Sequence, residues 1–236
     1  MTQPNSRRAP REALVFRSKA YIWLMAALFG LMFVVPVLDR LGWGILGHSL
    51  ALMTTFAVAM YGIGRSRYER HLIIVLGLIA AALTALSLLP NPTGPVLFLH
   101  DLSCTAFYGC VALVMLRNIL ARGSDVTFGL ISGAIAIYLL IGVIFANLYG
   151  MVALIDPSAF SGAVEGAAAA SIRFYYFSMV TITTLGYGDV LPINEVARGL
   201  AALEAILGQI YLTVLVARLV GMNISASMPG KEPNAG

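Results

Sequence analysis

The feature that most constrains this chain is a series of long apolar runs separated by short polar segments. Each run reaches the length of about 18 to 25 residues that a helix needs to cross a hydrocarbon core of about 30 Å. Six such runs occur, at Ala20–Leu38, Trp43–Gly64, Leu72–Leu89, Val96–Leu116, Phe128–Ile155 and Glu195–Met222. Because only helices and closed barrels satisfy their backbone groups in lipid, the runs predict an all-α membrane protein with six transmembrane helices.

The composition excludes an ordinary soluble domain. Hydrophobic residues make up 59% of the 236 residues and charged residues only 11%, whereas soluble domains carry about a quarter charged residues. The first apolar run is too long for the core of a signal peptide and lacks an obvious small-residue cleavage site. We therefore expect it to be retained as a membrane anchor.

The basic residues predict the orientation. Twelve of the 15 Lys and Arg residues lie on one side of the predicted membrane, while Arg40, Arg173 and Arg198 lie on the other. The positive-inside rule places the richer side in the cytoplasm. We expect a multi-pass protein of the plasma or inner membrane with both termini cytoplasmic. The basic residues of the first tail either mark this topology or contact anionic lipid, and the basic pI of about 9.2 requires no nucleic-acid partner.

A short polar turn, Thr181–Asp189, interrupts the apolar pattern between the last two runs. Backbone outside a helix is tolerated at membrane depth only where protein buries it or where it lines a water-filled path. Glycine reaches backbone conformations that side chains forbid, so an extended segment with glycine at positions 186 and 188 is able to aim successive carbonyl oxygens in one direction. Stacked carbonyl oxygens can replace the hydration shell of a cation.

The sequence Thr-Leu-Gly-Tyr-Gly-Asp at 184–189, preceded by Thr-Ile-Thr, resembles the selectivity filter of the potassium channel superfamily. The resemblance implies a homotetramer in which backbone carbonyls of each chain coordinate permeant K⁺. The implied coordinating residues are Thr184, Leu185, Gly186, Tyr187 and Gly188. Leu185 departs from the valine or isoleucine that is commoner in the family, which leaves the degree of potassium selectivity open.

The resemblance extends over residues 128–222 and implies a pore unit of outer helix, re-entrant pore helix, filter and inner helix. The pore helix is expected from near Ile172 to Thr183. The predicted organisation is a tail at 1–19, a four-helix membrane domain at 20–122, a pore domain at 123–222 and a second tail at 223–236. No ligand-binding domain is expected after the last span.

Several further residues receive roles from the resemblance. Tyr176 and Phe177 match positions that pack around the filter tyrosine, and Gly208 matches a hinge of the inner helix, with close packing as the alternative. Glu204 either hydrogen-bonds behind the filter or faces the aqueous cavity. The residues expected to support the filter are Thr181, Thr183, Tyr176, Phe177, Asp189 and Glu204. The residues expected to line the cavity, with a lipid-facing position as the alternative, are Leu212, Val216 and Val220.

The fourth run bears on gating. Voltage sensors carry arginine at every third position of this span, but Val96–Leu116 contains no Arg or Lys. His100 and Asp101, near the outer end of this run, are either a functional pair with a proton-sensing histidine or interfacial residues with access to water, and we favour the second interpretation. Cys104 and Cys110 read as packing residues, because six residues of separation turn them away from each other on a helix.

The sequence therefore predicts a potassium channel that mediates passive flux without an arginine-based voltage sensor. No nucleophile, base and metal constellation suggests an enzyme, and no cofactor is expected beyond the permeant ion. The alternatives are a less selective monovalent cation channel and a carrier-type cation uptake protein. Carriers that resemble this family usually contain four pore units in one chain, whereas this chain has one.

Overall fold

The computed structural model describes residues 19–30, 32–34, 37, 53–59, 66–89, 91–121, 127–162 and 167–227. Within these residues the secondary structure is helical, and no strand occurs. Residues 19–30, 32–34 and 53–59 are helical. Five further helices follow, α1 (Arg67–Ser87), α2 (Gly94–Leu120), α3 (Phe128–Ile155), α4 (Ala167–Ile182) and α5 (Glu195–Ser227).

Local sequence explains where these helices begin. Ser66 caps α1 in a capping box, because its hydroxyl accepts from the Glu69 amide while the Glu69 carboxylate accepts from the Ser66 amide. A proline occupies the first turn of α2, where a missing amide hydrogen has no cost. The Thr127 side chain caps α3 and the Asn194 side chain caps α5 by accepting from Ala197.

Four helices among the described residues are long and apolar enough to cross a membrane, namely α1, α2, α3 and the part of α5 from Glu195 to Arg218. They correspond to the last four of the six predicted runs. The first run, Ala20–Leu38, is helical where it is described, whereas most of the second, Trp43–Gly64, lies outside the described residues. The predicted number of six spans therefore stays a prediction.

Several predicted bounds differ from those of the structure. The runs Leu72–Leu89 and Val96–Leu116 correspond to α1 (Arg67–Ser87) and α2 (Gly94–Leu120). The helix expected to begin near Ile172 begins at Ala167, because alanine, the best helix former, occupies 167–170. The last helix continues to Ser227 rather than ending at Met222, so part of the predicted tail at 223–236 is helical. Residues 228–236 lie outside the described part of the chain.

The helices pack largely in chain order, with α3 as the central element. It contacts α2, α4 and α5, and α1 lies against α2. One apolar cluster joins residues 21–28 with α1, α2, α3 and the end of α4. The close approach of the Tyr21 side chain to α3 depends on Gly133, where an added Cβ would lie 2.9 Å from Cδ2 of Tyr21.

Charged side chains bind at the end of the bundle where α2 terminates. Glu69 of α1 forms an ion pair with Arg117 of α2 at 2.7 Å. The Arg218 guanidinium of α5 donates to the carbonyl oxygens of Ile119 (2.7 Å) and Leu120 (3.2 Å), which end α2. Since a helix carboxyl end carries partial negative charge, this cation stabilises α2 and connects it to α5.

The interpretation of His100 and Asp101 as water-accessible interfacial residues is wrong. Their side chains are only 10% and 17% exposed, and His100 Nδ1 lies 3.0 Å from the Asp101 carboxylate. The reason is that α3 packs against this face of α2, with Gly150 directly opposite Asp101. Cys104 is buried beside His100, and neither Cys104 nor Cys110 forms a disulfide.

Candidate functional site

The site is built from α4 and the residues that follow it. Helix α4 lies between α3 and α5 and contacts both. Its last carbonyl groups are satisfied within the chain, because Thr184 N donates to Thr181 O and Leu185 N donates to Val180 O, both at 2.9 Å. The Tyr138 hydroxyl of α3 donates to Ile182 O at 3.0 Å. These bonds fix the point at which the helix stops and the following segment starts.

The two threonines predicted to support this segment bond back to the helix. The Thr181 hydroxyl donates to Phe177 O at 2.8 Å, and the Thr183 hydroxyl donates to Met179 O at 2.7 Å. Ile182, between them, is fully buried against the core. The threonines therefore fix the last turn of α4.

Residues 184–188 have an alternating backbone. The φ angle is positive at every second residue, with 59° at Thr184, 63° at Gly186 and 78° at Gly188, whereas Leu185 and Tyr187 lie outside this region. Glycine adopts this conformation readily, but a β-branched residue such as Thr184 adopts it at a cost of about 1–3 kcal/mol. Such strain persists where surrounding contacts enforce it, and it is typical of functional segments.

This alternation determines where the carbonyl groups point. In a strand, successive residues face opposite sides. A φ angle that is positive at every second residue departs from this strand pattern, so the peptide groups of residues 184–188 are oriented differently from those of a strand. Among the described residues, no hydrogen bond is made to the carbonyl oxygens of residues 184–188, and residues 183–189 are exposed in the single subunit.

Asp189 ends the segment and is held from two sides. Its Oδ1 atom accepts from the amide of Val190 at 3.1 Å, and the Tyr176 side chain of α4 lies close to the carboxylate. Arg173, on the same helix, lies against Gly162, which is also close to the backbone oxygen of Asp189. The end of the segment is thus attached to α4.

Phe177 is buried within its own subunit, with ring centroids 4.9 Å from Tyr149 and 5.7 Å from Phe160. Tyr187 is 67% exposed in the single subunit. Phe177 therefore packs against these two aromatic residues, and its predicted packing around Tyr187 stays a prediction.

A group of hydrogen bonds connects the end of α3 to the start of α5. Asp156 accepts hydrogen bonds from Ser158 and from the Asn194 side chain, and these bonds lower the pKa of the Asp156 carboxyl. Backbone bonds from Ile193 N to Ala159 O and from Ser161 N to Leu191 O reinforce the contact. Sequence reasoning missed Asn194, although a capping residue three positions before Ala197 was a signal for it.

Glu204 is fully buried among three helices. The hydroxyl groups of Ser178 on α4 and Tyr149 on α3 each lie 2.5 Å from one of its two carboxylate oxygens. Of the two predicted alternatives, the cavity-facing position does not hold within the subunit. Sequence reasoning missed Ser178 and Tyr149, and their only signal is a polar side chain within an apolar run.

Gly208 lies one turn after Glu204 and is packed tightly. A Cβ atom there would lie 2.6 Å from Cγ1 and 2.7 Å from the backbone oxygen of Ile182, the last residue of α4. The close-packing alternative thus has a specific partner. Of the three proposed lining residues, Val216 and Val220 are exposed in the subunit and Leu212 is half-buried.

Comparison with known proteins finds one family that resembles this region of the chain. Residues 133–224 match a family described as ion channel. The matched region runs from α3 through α4 and the segment at 184–188 into α5. No curated protein and no solved structure matches the chain. The match supports an ion channel.

Proposed function

We propose that this chain is the subunit of a homotetrameric, potassium-selective channel that mediates passive K⁺ flux. The observation that carries the proposal is the segment at 184–188, where φ alternates in sign and the carbonyl oxygens accept no hydrogen bond from the described residues. This segment lies between helices long and apolar enough to cross a membrane. Unpaired carbonyl groups at such depth require a polar occupant.

A dehydrated monovalent cation fits this arrangement. Carbonyls of Thr184, Leu185, Gly186 and Tyr187 act as successive rings of ligands, with the Thr184 hydroxyl at the inner end. Carbonyl oxygens replace the water that K⁺ loses on entry, and several sites in a row let ions displace each other. Gly188 supplies the turn that leads to Asp189.

The position of α4 supports the same function. Its carboxyl end stops at Ile182, directly before the segment, and the helix dipole adds partial negative charge there. We propose that α4 is a re-entrant pore helix that enters from outside. Its 16 residues are too few to cross a bilayer.

The tetramer follows from the number of ligands. One subunit contributes one carbonyl oxygen at each level, whereas a cation requires a surrounding ring, which four copies around a closed symmetry axis provide. Helix α5 leaves apolar residues uncovered in the single subunit, including Leu203, Ile210 and Val214. These residues are available to neighbouring subunits or to lipid.

The channel lies in the cell membrane with both termini in the cytoplasm, as the distribution of basic residues favours. Residues 20–122 form a membrane domain beside the pore domain. Because α2 carries no Arg or Lys before Arg117, this domain does not act as an arginine-based voltage sensor.

Ion flux into liposomes tests the proposal. Purified protein in vesicles with a K⁺ gradient should carry K⁺, and Gly186→Ala should abolish the flux because φ there is 63°. Gly109→Ala on α2 is the matched control, since a Cβ there meets no other atom within 4 Å. Normal K⁺ flux in the Gly186→Ala protein would refute the proposed filter.

Leu185 favours a second candidate, a less selective monovalent cation channel. Its side chain is 55% exposed in the subunit and is larger than the valine of the resembled filters. Replacing Leu185 by Val distinguishes the candidates. A gain in K⁺ over Na⁺ selectivity would favour the second candidate, whereas unchanged high selectivity would favour the first.

A further inference from the structure

Glu204, Ser178 and Tyr149 form a buried polar node that links three helices. Ser178 Oγ lies 2.5 Å from one Glu204 carboxylate oxygen and 2.7 Å from the carbonyl oxygen of Gly142 on α3. The Tyr149 hydroxyl donates to the other Glu204 oxygen at 2.5 Å. Outer helix α3, pore helix α4 and inner helix α5 therefore meet at one hydrogen-bonded group.

The number of available protons determines the state of this node. A serine hydroxyl has one proton to donate, but Ser178 Oγ is within hydrogen-bond distance of two acceptors, Gly142 O and Glu204. With Glu204 ionised, one of these contacts would bring together two oxygens without a hydrogen between them. With Glu204 protonated, its O–H donates to Ser178, Ser178 donates to Gly142 O and Tyr149 donates to Glu204, so every contact holds one proton.

In the part of the chain that the structure describes, no cation forms an ion pair with Glu204 that would favour its ionised form. Helix α3 contains no Lys, Arg, Asp or Glu between Phe128 and Ile155. The cations of the other packed elements lie elsewhere. Arg173 is close to Gly162, Arg198 donates to Pro192 O, and Arg218 donates to the end of α2. The titratable groups near Glu204 include Tyr138 and Tyr149 of α3.

Because Glu204 is fully buried within one subunit, neither solvent nor a neighbouring subunit reaches it without rearrangement. An isolated carboxylate in such surroundings is strongly disfavoured and takes up a proton instead. We propose that Glu204 is a positioning residue held as the neutral carboxylic acid, whose proton completes a hydrogen-bonded chain from the inner helix through the pore helix to the outer helix.

The polar node lies one helical turn from the contact between α5 and the end of α4, which directly precedes the proposed filter. Ser178 and Ile182 are one turn apart on α4, and Glu204 and Gly208 are one turn apart on α5. Ser178 of α4 is hydrogen-bonded to Glu204 of α5, and one turn further along both helices Ile182 is in close contact with Gly208. A displacement of α5 that separates these helices breaks both contacts, so the node fixes α4 directly behind residues 184–188. This role rests on the proposed function, whereas the protonation state of Glu204 does not.

Infrared difference spectroscopy tests the protonation state independently of conduction. The spectrum of the wild-type protein at neutral pH minus that of Glu204→Gln should contain the carbonyl-stretch band of a protonated carboxylic acid. Ser178→Ala should shift this band, because the acid loses its acceptor. A difference spectrum that contains only carboxylate bands would overturn the inference, even in a protein that conducts K⁺.

The conservative variant tests the positioning role. Glutamine retains a donor for Ser178 and an acceptor for Tyr149, so Glu204→Gln should keep K⁺ flux and the melting temperature of the protein close to wild type. Glu204→Ala should lose both, since it leaves Ser178 and Tyr149 without a partner. Loss of flux in Glu204→Gln as large as in Glu204→Ala would overturn the neutral-acid role. Failure of the Ala variant to fold leaves the Gln variant and its spectrum to decide.

Discussion

Gly208 is the position where one added carbon tests the packing of α5 against the end of α4. In Gly208→Ala the new Cβ would lie 2.7 Å from the backbone oxygen of Ile182 and 2.6 Å from its Cγ1 atom. A flexible side chain is able to rotate away from such a contact. The backbone oxygen is not, because Ile182 O also accepts the hydrogen bond of Tyr138.

The expected change in the free energy of unfolding of Gly208→Ala is the difference between two opposing effects. Alanine in place of glycine within a helix stabilises by about 1 kcal/mol. Overpacking typically destabilises by about 1–3 kcal/mol, and contact with fixed backbone favours the upper part of that range. We therefore expect Gly208→Ala to lower the free energy of unfolding by about 1–2 kcal/mol per subunit and to reduce K⁺ flux by displacing the end of α4.

The measurement compares Gly208→Ala with Gly109→Ala in α2. Both changes carry the same gain in helix propensity, but a Cβ at position 109 meets no other atom within 4 Å. Thermal melting in detergent and K⁺ flux in liposomes should be impaired by the first change and preserved by the second. Equal melting temperatures and equal fluxes in the two variants would refute the packing argument.

Three further predictions follow from other contacts. Arg218→Gln should lower the free energy of unfolding by about 1–3 kcal/mol, because the carbonyl groups at the end of α2 lose a charged hydrogen-bond donor. A melting temperature equal to that of the wild type would contradict this. Because hydrogen bonds lower the Asp156 pKa below its ordinary value of 3.8, their stabilisation is present above that value and is lost as the pH falls through the folded pKa; melting temperatures measured across acidic pH should fall more steeply in wild type than in Asp156→Asn. Phe160→Ala should lower the free energy of unfolding by about 3–5 kcal/mol, because the Phe160 ring packs against Tyr149, Phe174 and Phe177. Denaturant unfolding of the wild type and the variant measures the difference, and a much smaller loss would contradict the importance of this cluster.

The bounds of a membrane-spanning helix were predictable where polar residues flank a continuous apolar run. The bounds predicted for α3, Phe128 and Ile155, are those of the structure, since the polar residues Thr127 and Asp156 flank a continuous apolar run. The start of α4 was not predicted, because the four alanines at 167–170 were assigned to a loop of small residues although alanine is the best helix former.

The partners of the site residues were beyond the reach of sequence pattern. Glu204 was recognisable as an unusual carboxylate, but its partners Ser178 and Tyr149 lie 26 and 55 residues away in the chain. The packing of Phe177 against Tyr149 and Phe160 was not predicted, because a motif gives position along a helix and not the face that tertiary packing buries. The positive φ of Thr184 likewise depends on the hydrogen bonds that end α4.

Ion selectivity is the central property of the proposed channel. The most direct measurement is the reversal potential of purified protein in planar bilayers with K⁺ on one side and Na⁺ on the other. We expect discrete single-channel currents that reverse far from zero, with the K⁺ side negative. Currents that reverse near zero under these conditions, or transport without single-channel steps, would contradict a potassium-selective channel.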